Sequence, residues 1–180
     1  MAWILVPALV GAVALFIWNA IVWMALPHHK SDFLQVPNRA KVEDGLRGLP
    51  PGGFYMLPHM NDYEGGCKNP ELKKRCDAGP NAMLIMGKPG MGMKPATFLI
   101  GFVIDLVEAC ALACVLKYTT VTGGFASQIG IAATLGGLVH GVGPVASANW
   151  MGFPWPYALK CVFDGAAGWA LMAVALHLVG

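Results

Sequence analysis

The sequence predicts an all-α membrane protein with four transmembrane helices and one extramembrane segment between the first and second helices. Two observations predict this class. Hydrophobic residues make up 56% of the chain and charged residues only 12%, about half the charged share of an ordinary soluble domain. The apolar residues are also gathered into four stretches of roughly twenty residues or more, the length at which a helix crosses a bilayer.

The four apolar stretches set the predicted boundaries of the helices, which are residues 2–26, 96–118, 127–146 and 156–179. The first stretch contains no charged residue and has no basic start. It is also too long for the core of a secretory signal peptide. We therefore interpret it as an uncleaved membrane anchor.

Residues 27–95 form the predicted extramembrane segment. Pro27 is expected to end the first helix, because proline has no amide hydrogen and its ring disfavours a helical residue before it. Apolar residues recur at helical spacing within residues 36–49 and predict a short amphipathic helix. Two β-prone runs, residues 54–57 and 82–86, are flanked by proline or glycine and are expected to pair as a two-stranded ribbon.

The only two cysteines of this segment bear on its location. Cys67 and Cys76 in an exposed loop favour a disulfide, and hence an oxidising compartment. Ten of the twelve Lys and Arg residues also lie in the segment, which by itself would favour the cytoplasm. The tendency of basic loops to stay in the cytoplasm weakens in loops longer than about 60 residues, and this segment is longer. We therefore expect an extracytoplasmic segment in which Cys67 is bonded to Cys76.

Four tryptophans are predicted to lie at the membrane surface beside this segment: Trp18, Trp23, Trp150 and Trp155. Indole rings favour the headgroup zone, so the simplest interpretation is an interfacial belt that anchors the helices. The alternative is that the headgroup of a quinone or a pigment docks among these rings.

A small polar set lies inside the apolar stretches: Asn19, Asp105, Glu108, His140 and Asp164. Ionisable side chains in hydrocarbon are costly, so each needs a partner or a function. Counting 1.5 Å per residue from the helix ends places one group of each helix at a depth of roughly 9–14 Å, with Glu108 one turn deeper. This shared depth predicts a connected buried network.

Four interpretations of the network are open. In the structural one, His140 donates to Asp105 or Asp164, Asn19 completes the set, and Lys160 pairs with Asp164 one helical turn away. In the second, Asp105, His140 and Asp164 carry protons or ions. In the third, the carboxylates and His140 bind zinc, manganese or iron. In the fourth, His140 ligates haem or a chlorin.

Small residues form a stripe on the third predicted helix, at Ala133, Gly137 and Gly141. Such a stripe lets another helix approach closely, so it predicts tight packing against a sister helix or another subunit. His140 lies beside the stripe and is therefore expected to face protein rather than lipid.

A weaker hypothesis concerns copper, because thioether and imidazole groups suit that metal. Its candidate ligands are the histidines and methionines of the extramembrane segment, and His140 is a further metal candidate outside it. The candidates in the segment are His28, His29, His59, Met56, Met60, Met83, Met86, Met91 and Met93. The sequence offers no glycine-rich phosphate loop, no catalytic triad and no zinc-type spacing of Cys and His, so no catalytic residue is identified. A net charge of +2 gives no case for nucleic acid as a partner.

Several motifs resemble a family of small, uncharacterised bacterial inner-membrane proteins with four spans. They are Leu26-Pro27-His28-His29, the run from Pro51 to Pro58, the run from Gly79 to Met83, and Gly152-Phe153-Pro154-Trp155. The resemblance implies a multi-pass protein of the bacterial inner membrane with its long segment outside the cytoplasm. It implies no activity.

From these observations we expect a non-catalytic accessory subunit of a bacterial membrane complex, with a respiratory or photosynthetic electron-transfer assembly as the best match. Its expected partners are the lipid bilayer and other membrane subunits. Contacts with lipid, quinone, haem or chlorin stay open as cofactor interactions. The main alternative is a small proton or ion carrier that works through Asp105, His140 and Asp164.

Overall fold

The computed structural model describes residues 2–90, 92, 94–118 and 124–179. Its helices in chain order are α1 (Ala2–Ala20), α2 (Arg39–Leu46), α3 (Pro70–Ala78), α4 (Pro95–Tyr118), α5 (Gly124–Met151) and α6 (Trp155–Val179). Its strands are β1 (Phe54–Leu57) and β2 (Ala82–Ile85). Short 3-10 turns connect several of these elements.

Four helical stretches are long and apolar enough to cross a membrane: Ile4–Ala25, Pro95–Tyr118, Gly124–Met151 and Trp155–Val179. Together with the small two-stranded sheet, they confirm a mainly helical chain with four helices long and apolar enough to span a membrane. Four such helices suggest a multi-pass membrane protein.

The chain divides into two compact units. Residues 1–34 and 93–180 form the first, which we call the helical unit. Residues 35–92 form the second, the extramembrane unit. The turn that follows α1 belongs to the helical unit, so its polar side chains lie in the same unit as those of α4, α5 and α6.

In the helical unit, α1 packs against both α4 and α6, and α6 packs closely against α5. Small residues occupy much of the core between these helices, among them Ala12, Ala109 and Ala132, which are fully buried. Larger side chains such as Leu112 and Met172 fill the remaining space. Small residues at membrane helix contacts allow the backbones to approach, and packing then supplies the attraction.

The closest approach is between α5 and α6. A methyl group added to Gly136 would collide with the carbonyl oxygen of Gly165, and one added to Gly165 would collide with that of Gly136. Gly137 and Gly141 face Val162 of α6, and Ala133 is partly buried. The stripe of small residues therefore packs largely against a sister helix of the same chain.

Helix α5 ends at Met151, although the sequence predicted an end at residue 146. It continues through Pro144, although proline lacks the amide hydrogen for one bond of the helix. Membrane helices tolerate proline because neighbouring groups satisfy the freed carbonyl. Gly152 then ends the helix with a φ of +72°, a conformation that favours glycine.

The end of α1 is unusual. Residues Ile21–Ala25 continue it as one π-helical turn, in which the amide of Leu26 donates to the carbonyl oxygen of Ile21 at 2.9 Å. Leu26 itself is extended, as expected for a residue before proline. Pro27 therefore ends the helix as predicted, and the chain turns so that residues 28–32 stay with the helical unit.

The extramembrane unit contains the predicted ribbon. Strands β1 and β2 pair in antiparallel register, with Phe54 opposite Ile85. Helix α2 lies within the stretch predicted to be amphipathic. Helix α3 was not predicted, yet its start follows the usual rules: Asn69 accepts a hydrogen bond from the amide of Glu71 at 2.8 Å, and proline occupies the first turn.

Cys67 and Cys76 are free thiols in the structure, so the predicted disulfide is not supported. Cys67 lies in a 3-10 turn, and its thiol contacts the sulphur of Met60 at 3.0 Å. Cys76 lies in α3, which begins at Pro70 between the two cysteines. A capped helix thus occupies part of the predicted exposed loop. Without the disulfide, the cysteines no longer support an oxidising compartment.

Candidate functional site

The predicted buried polar residues fall into two clusters of the helical unit. We call the first the midspan cluster, which contains Asn19, Asp105, Glu108, His140 and Trp169. We call the second the loop-side cluster, which contains His28, His29, Asp32, Lys160 and Asp164. The sequence predicted every member of the midspan cluster except Trp169. It also predicted that Asp164 belongs to the network of Asp105 and His140, whereas the structure places Asp164 in the loop-side cluster.

Asp105 is the most buried carboxylate of the midspan cluster, with 5% of the residue exposed. It lies near the middle of α4, and Asn19 of α1 donates from its amide nitrogen to Asp105 Oδ1 at 3.1 Å. This contact crosses the α1–α4 interface. Two residues that the sequence placed at similar depth are thus partners.

Glu108 lies one turn further along α4 and accepts two hydrogen bonds on Oε2. His140 of α5 donates to it from Nε2 at 3.0 Å, and Trp169 of α6 donates from its indole nitrogen at 2.9 Å. His140 therefore bonds to Glu108 rather than to Asp105 or Asp164. The two bonds join α4 to the α5–α6 pair, with which it makes few other contacts.

Asp164 belongs to the loop-side cluster because its partners come from the turn after Pro27. His28 Nε2 lies 3.2 Å from both carboxylate oxygens of Asp164. His29 Nε2 lies 2.9 Å from Oδ2. The sequence contained one clue, since two adjacent histidines directly follow the proline that ends the first helix.

A second layer of bonds holds this cluster. Asp32 Oδ2 lies 2.7 Å from His29 Nδ1, and Asp32 Oδ1 accepts from Lys160 Nζ at 2.6 Å. Lys160 also donates to the carbonyl oxygen of His28 and to Ser31 Oγ, so its ammonium group has three acceptors. Lys160 therefore pairs with Asp32, and not with Asp164 of its own helix.

The electrostatics of Asp32 follow from these partners. Burial by itself would raise the pKa of Asp32, but the hydrogen bonds from Lys160 and His29 and their charges outweigh it. The pKa of Asp32 is consequently lowered from its ordinary value. Asp32 is an ionised acceptor for both neighbours.

Aromatic rings fix the orientation of His29. Trp23 stacks on the imidazole with ring centroids 4.0 Å apart and an angle of 3° between the planes. The π-helical turn at the end of α1 carries this tryptophan, and such turns recur at functional sites. With 4% of the residue exposed, His29 is nearly enclosed.

The other predicted belt residues divide into two groups. Trp18 is partly buried and donates from its indole nitrogen to the backbone carbonyl of Asp164 at 2.9 Å, so it acts in helix packing. Trp150 is 83% exposed, and Trp155 is also exposed, as an interfacial belt requires. Trp23 is exposed on one face while its other face covers His29.

A cavity of about 220 Å³ lies between the two clusters. Its lining includes Asn19 and His140 from the midspan cluster and Asp164 from the loop-side cluster, along with Tyr157 and Cys161. At about 30 Å³ for each water molecule, it has room for several waters, and its walls offer polar partners for them.

Among the described residues, the copper candidates are brought together only in part, since His28 and His29 both contact Asp164 in the loop-side cluster. His59 is used as a cap, since its Nδ1 accepts from the amide of Asn61 at 3.3 Å. His140 bonds to Glu108. Met91 and Met93 lie outside the described residues.

Comparison with family models, curated proteins and solved structures finds no match for this chain. The resemblance to a bacterial four-span family therefore stays a prediction. The function has to be argued from the geometry of the two clusters.

Proposed function

We propose that this chain is a membrane protein that binds a divalent transition-metal ion in its loop-side cluster. The ligands are His28, His29 and Asp164. Their nitrogen and oxygen ligand atoms all lie within 4.8 Å of one another. The observation that carries the proposal is the hydrogen-bond arrangement around His29.

Asp32 is a carboxylate, so it can only accept, and the proton in its contact with His29 lies on Nδ1. A neutral imidazole then presents a lone pair at Nε2. That lone pair faces Asp164 Oδ2, another acceptor, at 2.9 Å. Two acceptors at this distance repel each other unless a metal cation or a second proton lies between them.

The spacing of the ligand atoms suits a metal. Two ligands about 2.0–2.1 Å from a tetrahedral ion are roughly 3.3 Å apart. The distances of 2.9 and 3.2 Å between the histidine nitrogens and the Asp164 oxygens are close to that value. Asp32 behind His29 supplies the carboxylate that commonly orients a metal-bound imidazole.

The charges of the cluster also favour a cation. With both histidines neutral, two carboxylates and the ammonium group of Lys160 leave one negative charge in excess. Two imidazoles and a carboxylate suit zinc, manganese or iron. Three protein ligands leave a coordination position for water or a substrate, and Asp164 borders the cavity where such a molecule has room.

The experiment is a metal titration of the full-length chain, purified in detergent and stripped with a chelator. We expect one Zn²⁺, Mn²⁺ or Fe²⁺ ion per chain by calorimetry and elemental analysis. His29→Ala and Asp164→Asn should each abolish stoichiometric binding, because two ligands alone hold an ion poorly. His59→Ala, a histidine of the extramembrane unit, is the matched control and should bind normally.

The contact between His29 and Asp164 would also be favourable if the imidazole carried a proton on both nitrogens and no metal were bound. If the folded wild-type chain binds none of the three ions, this protonated form is the explanation and the metal proposal is wrong. Stoichiometric binding that survives in both ligand variants would contradict the site itself.

An accessory role in a larger assembly is a second proposal, favoured by the ribbon of the extramembrane unit. Phe54 and Ile85 lie opposite each other and are 76% and 63% exposed. A two-stranded ribbon is marginal alone, and an exposed apolar pair on it suits a protein partner. This supports an extramembrane contact with another subunit.

Native membranes should therefore yield a complex when this chain is affinity-purified in mild detergent and its partners are identified by mass spectrometry. Phe54→Ser should release the partner, whereas Val42→Ser, an exposed apolar position on α2, should retain it. A chain that runs alone from native membranes would contradict the accessory role.

A further inference from the structure

The midspan cluster contains two carboxylates and only one group that can become positively charged. Among the described residues, α1 contributes Asn19, α5 contributes His140 and α6 contributes Trp169 to its hydrogen bonds. A protonated His140 offsets the charge of Glu108 at 3.0 Å. Among the residues that the structure describes, Asp105 accepts one hydrogen bond, from the amide of Asn19, and forms no ion pair.

A bare carboxylate in the middle of a membrane helix is strongly unfavourable, so Asp105 needs neutralisation. Asn19 occupies Oδ1 of Asp105, which leaves Oδ2 for a proton. A protonated Asp105 is neutral and keeps its bond to Asn19. The cluster then has no net charge when His140 and Glu108 form an ion pair.

Access to this site comes from one side. Asn19 and His140, which bond to the two carboxylates, line the cavity of about 220 Å³ together with Cys161 and Asp164. Beyond the cluster, Leu112 and Met172 are fully buried. A second cavity of about 350 Å³ lies at the other end of the helices, but its described lining, which includes Ala113 and His177, contains no residue of the midspan cluster. Water in the loop-side cavity therefore reaches Asn19 and His140, whereas the far cavity is separated from the cluster by apolar side chains.

We infer that the midspan cluster is a one-sided proton site, in which Asp105 takes up a proton from the loop side and returns it to the same side. The proton moves through cavity water and forms a bond to Asp105 Oδ2. No second exit is used, so the site stores a proton rather than carrying it across. This inference does not depend on the metal proposal, because no residue of the midspan cluster is a proposed ligand, although Asp164 borders the same cavity.

Infrared spectroscopy of the full-length chain in lipid vesicles at neutral pH tests the inference. We expect the carbonyl-stretch band of one protonated carboxylic acid, which Asp105→Asn removes. Glu108→Gln and the exposed Glu43→Gln should leave the band in place. In D₂O the band should shift within minutes, since cavity water reaches the site.

Asn19→Ala provides a second measurement if Asp105→Asn fails to fold. It removes the hydrogen bond to the carboxyl group and should raise the stretching frequency of the same band. Absence of the band in folded wild-type protein, or its persistence in folded Asp105→Asn, would overturn the inference.

Vesicles loaded with a pH-sensitive dye separate a one-sided site from a carrier. An imposed pH gradient across the wild-type protein should decay no faster than across protein-free vesicles. Faster decay that Asp105→Asn abolishes would mean a through-path and would contradict the one-sided site.

Discussion

His29 is the most restrained side chain at the scale of single residues. One face of its imidazole is covered by Trp23, Nδ1 is held by Asp32, and Nε2 faces Asp164. Trp23 and Asp32 flank His29 in the sequence, whereas Asp164 comes from α6. A ring held in this way loses little further freedom when it binds a ligand, which favours affinity.

Asp32 is expected to act as a positioning residue for the metal. Asp32→Asn keeps an acceptor for His29 Nδ1 but removes the negative charge, so metal affinity should fall about 10–100-fold while stoichiometry stays at one. Calorimetry of the full-length variant measures this. Asp44→Asn, at an exposed carboxylate of α2, is the control. Equal affinity in the two variants would contradict the positioning role.

At the scale of elements, the contact between α5 and α6 depends on two glycines. Their backbones meet where Gly136 and Gly165 face each other's carbonyl oxygens. No other residue type fits at either position without moving one of the helices. The interface also sets the distance between His140 and α6, since His140 lies directly against Gly165.

Gly136→Ala should therefore destabilise the helical unit by about 1–3 kcal/mol, the usual cost of overpacking a tight interface. Gly143→Ala, on the same helix, meets nothing within 4 Å and should be neutral. Thermal unfolding of both variants in the same detergent measures the difference. Equal melting temperatures would show that the interface adjusts to the added methyl group.

Sequence patterns predict some elements better than others for physical reasons. Hydrophobic length alone reveals the four spans, and β-prone runs reveal the ribbon. The end of α5 was predicted too early, because Pro144 and the polar residues after it normally stop a soluble helix. Helix α3 was missed because its charged residues show no apolar periodicity.

At the scale of the whole molecule, local patterns predict which polar residues are buried but not which of them meet. Depth places Asn19 and Asp105 at one level, but it does not single them out as a pair from His140 and Asp164. The bonds of Asp164 to the histidines are not predicted by depth at all, because they depend on the chain turning back after Pro27. The partner of Lys160 was also not predictable locally, because Lys160 pairs with Asp32 and not with Asp164, which lies one turn away on the same helix.

The loop-side cluster also has a consequence for biosynthesis. His29 and Asp164 are 135 positions apart, so the two histidines leave the ribosome long before their carboxylate partner does. The proposed ligand set is incomplete until the last transmembrane helix has entered the membrane beside the first. Metal occupancy would then report that insertion is finished, and a chain truncated before α6 would leave the two histidines without the aspartate they face.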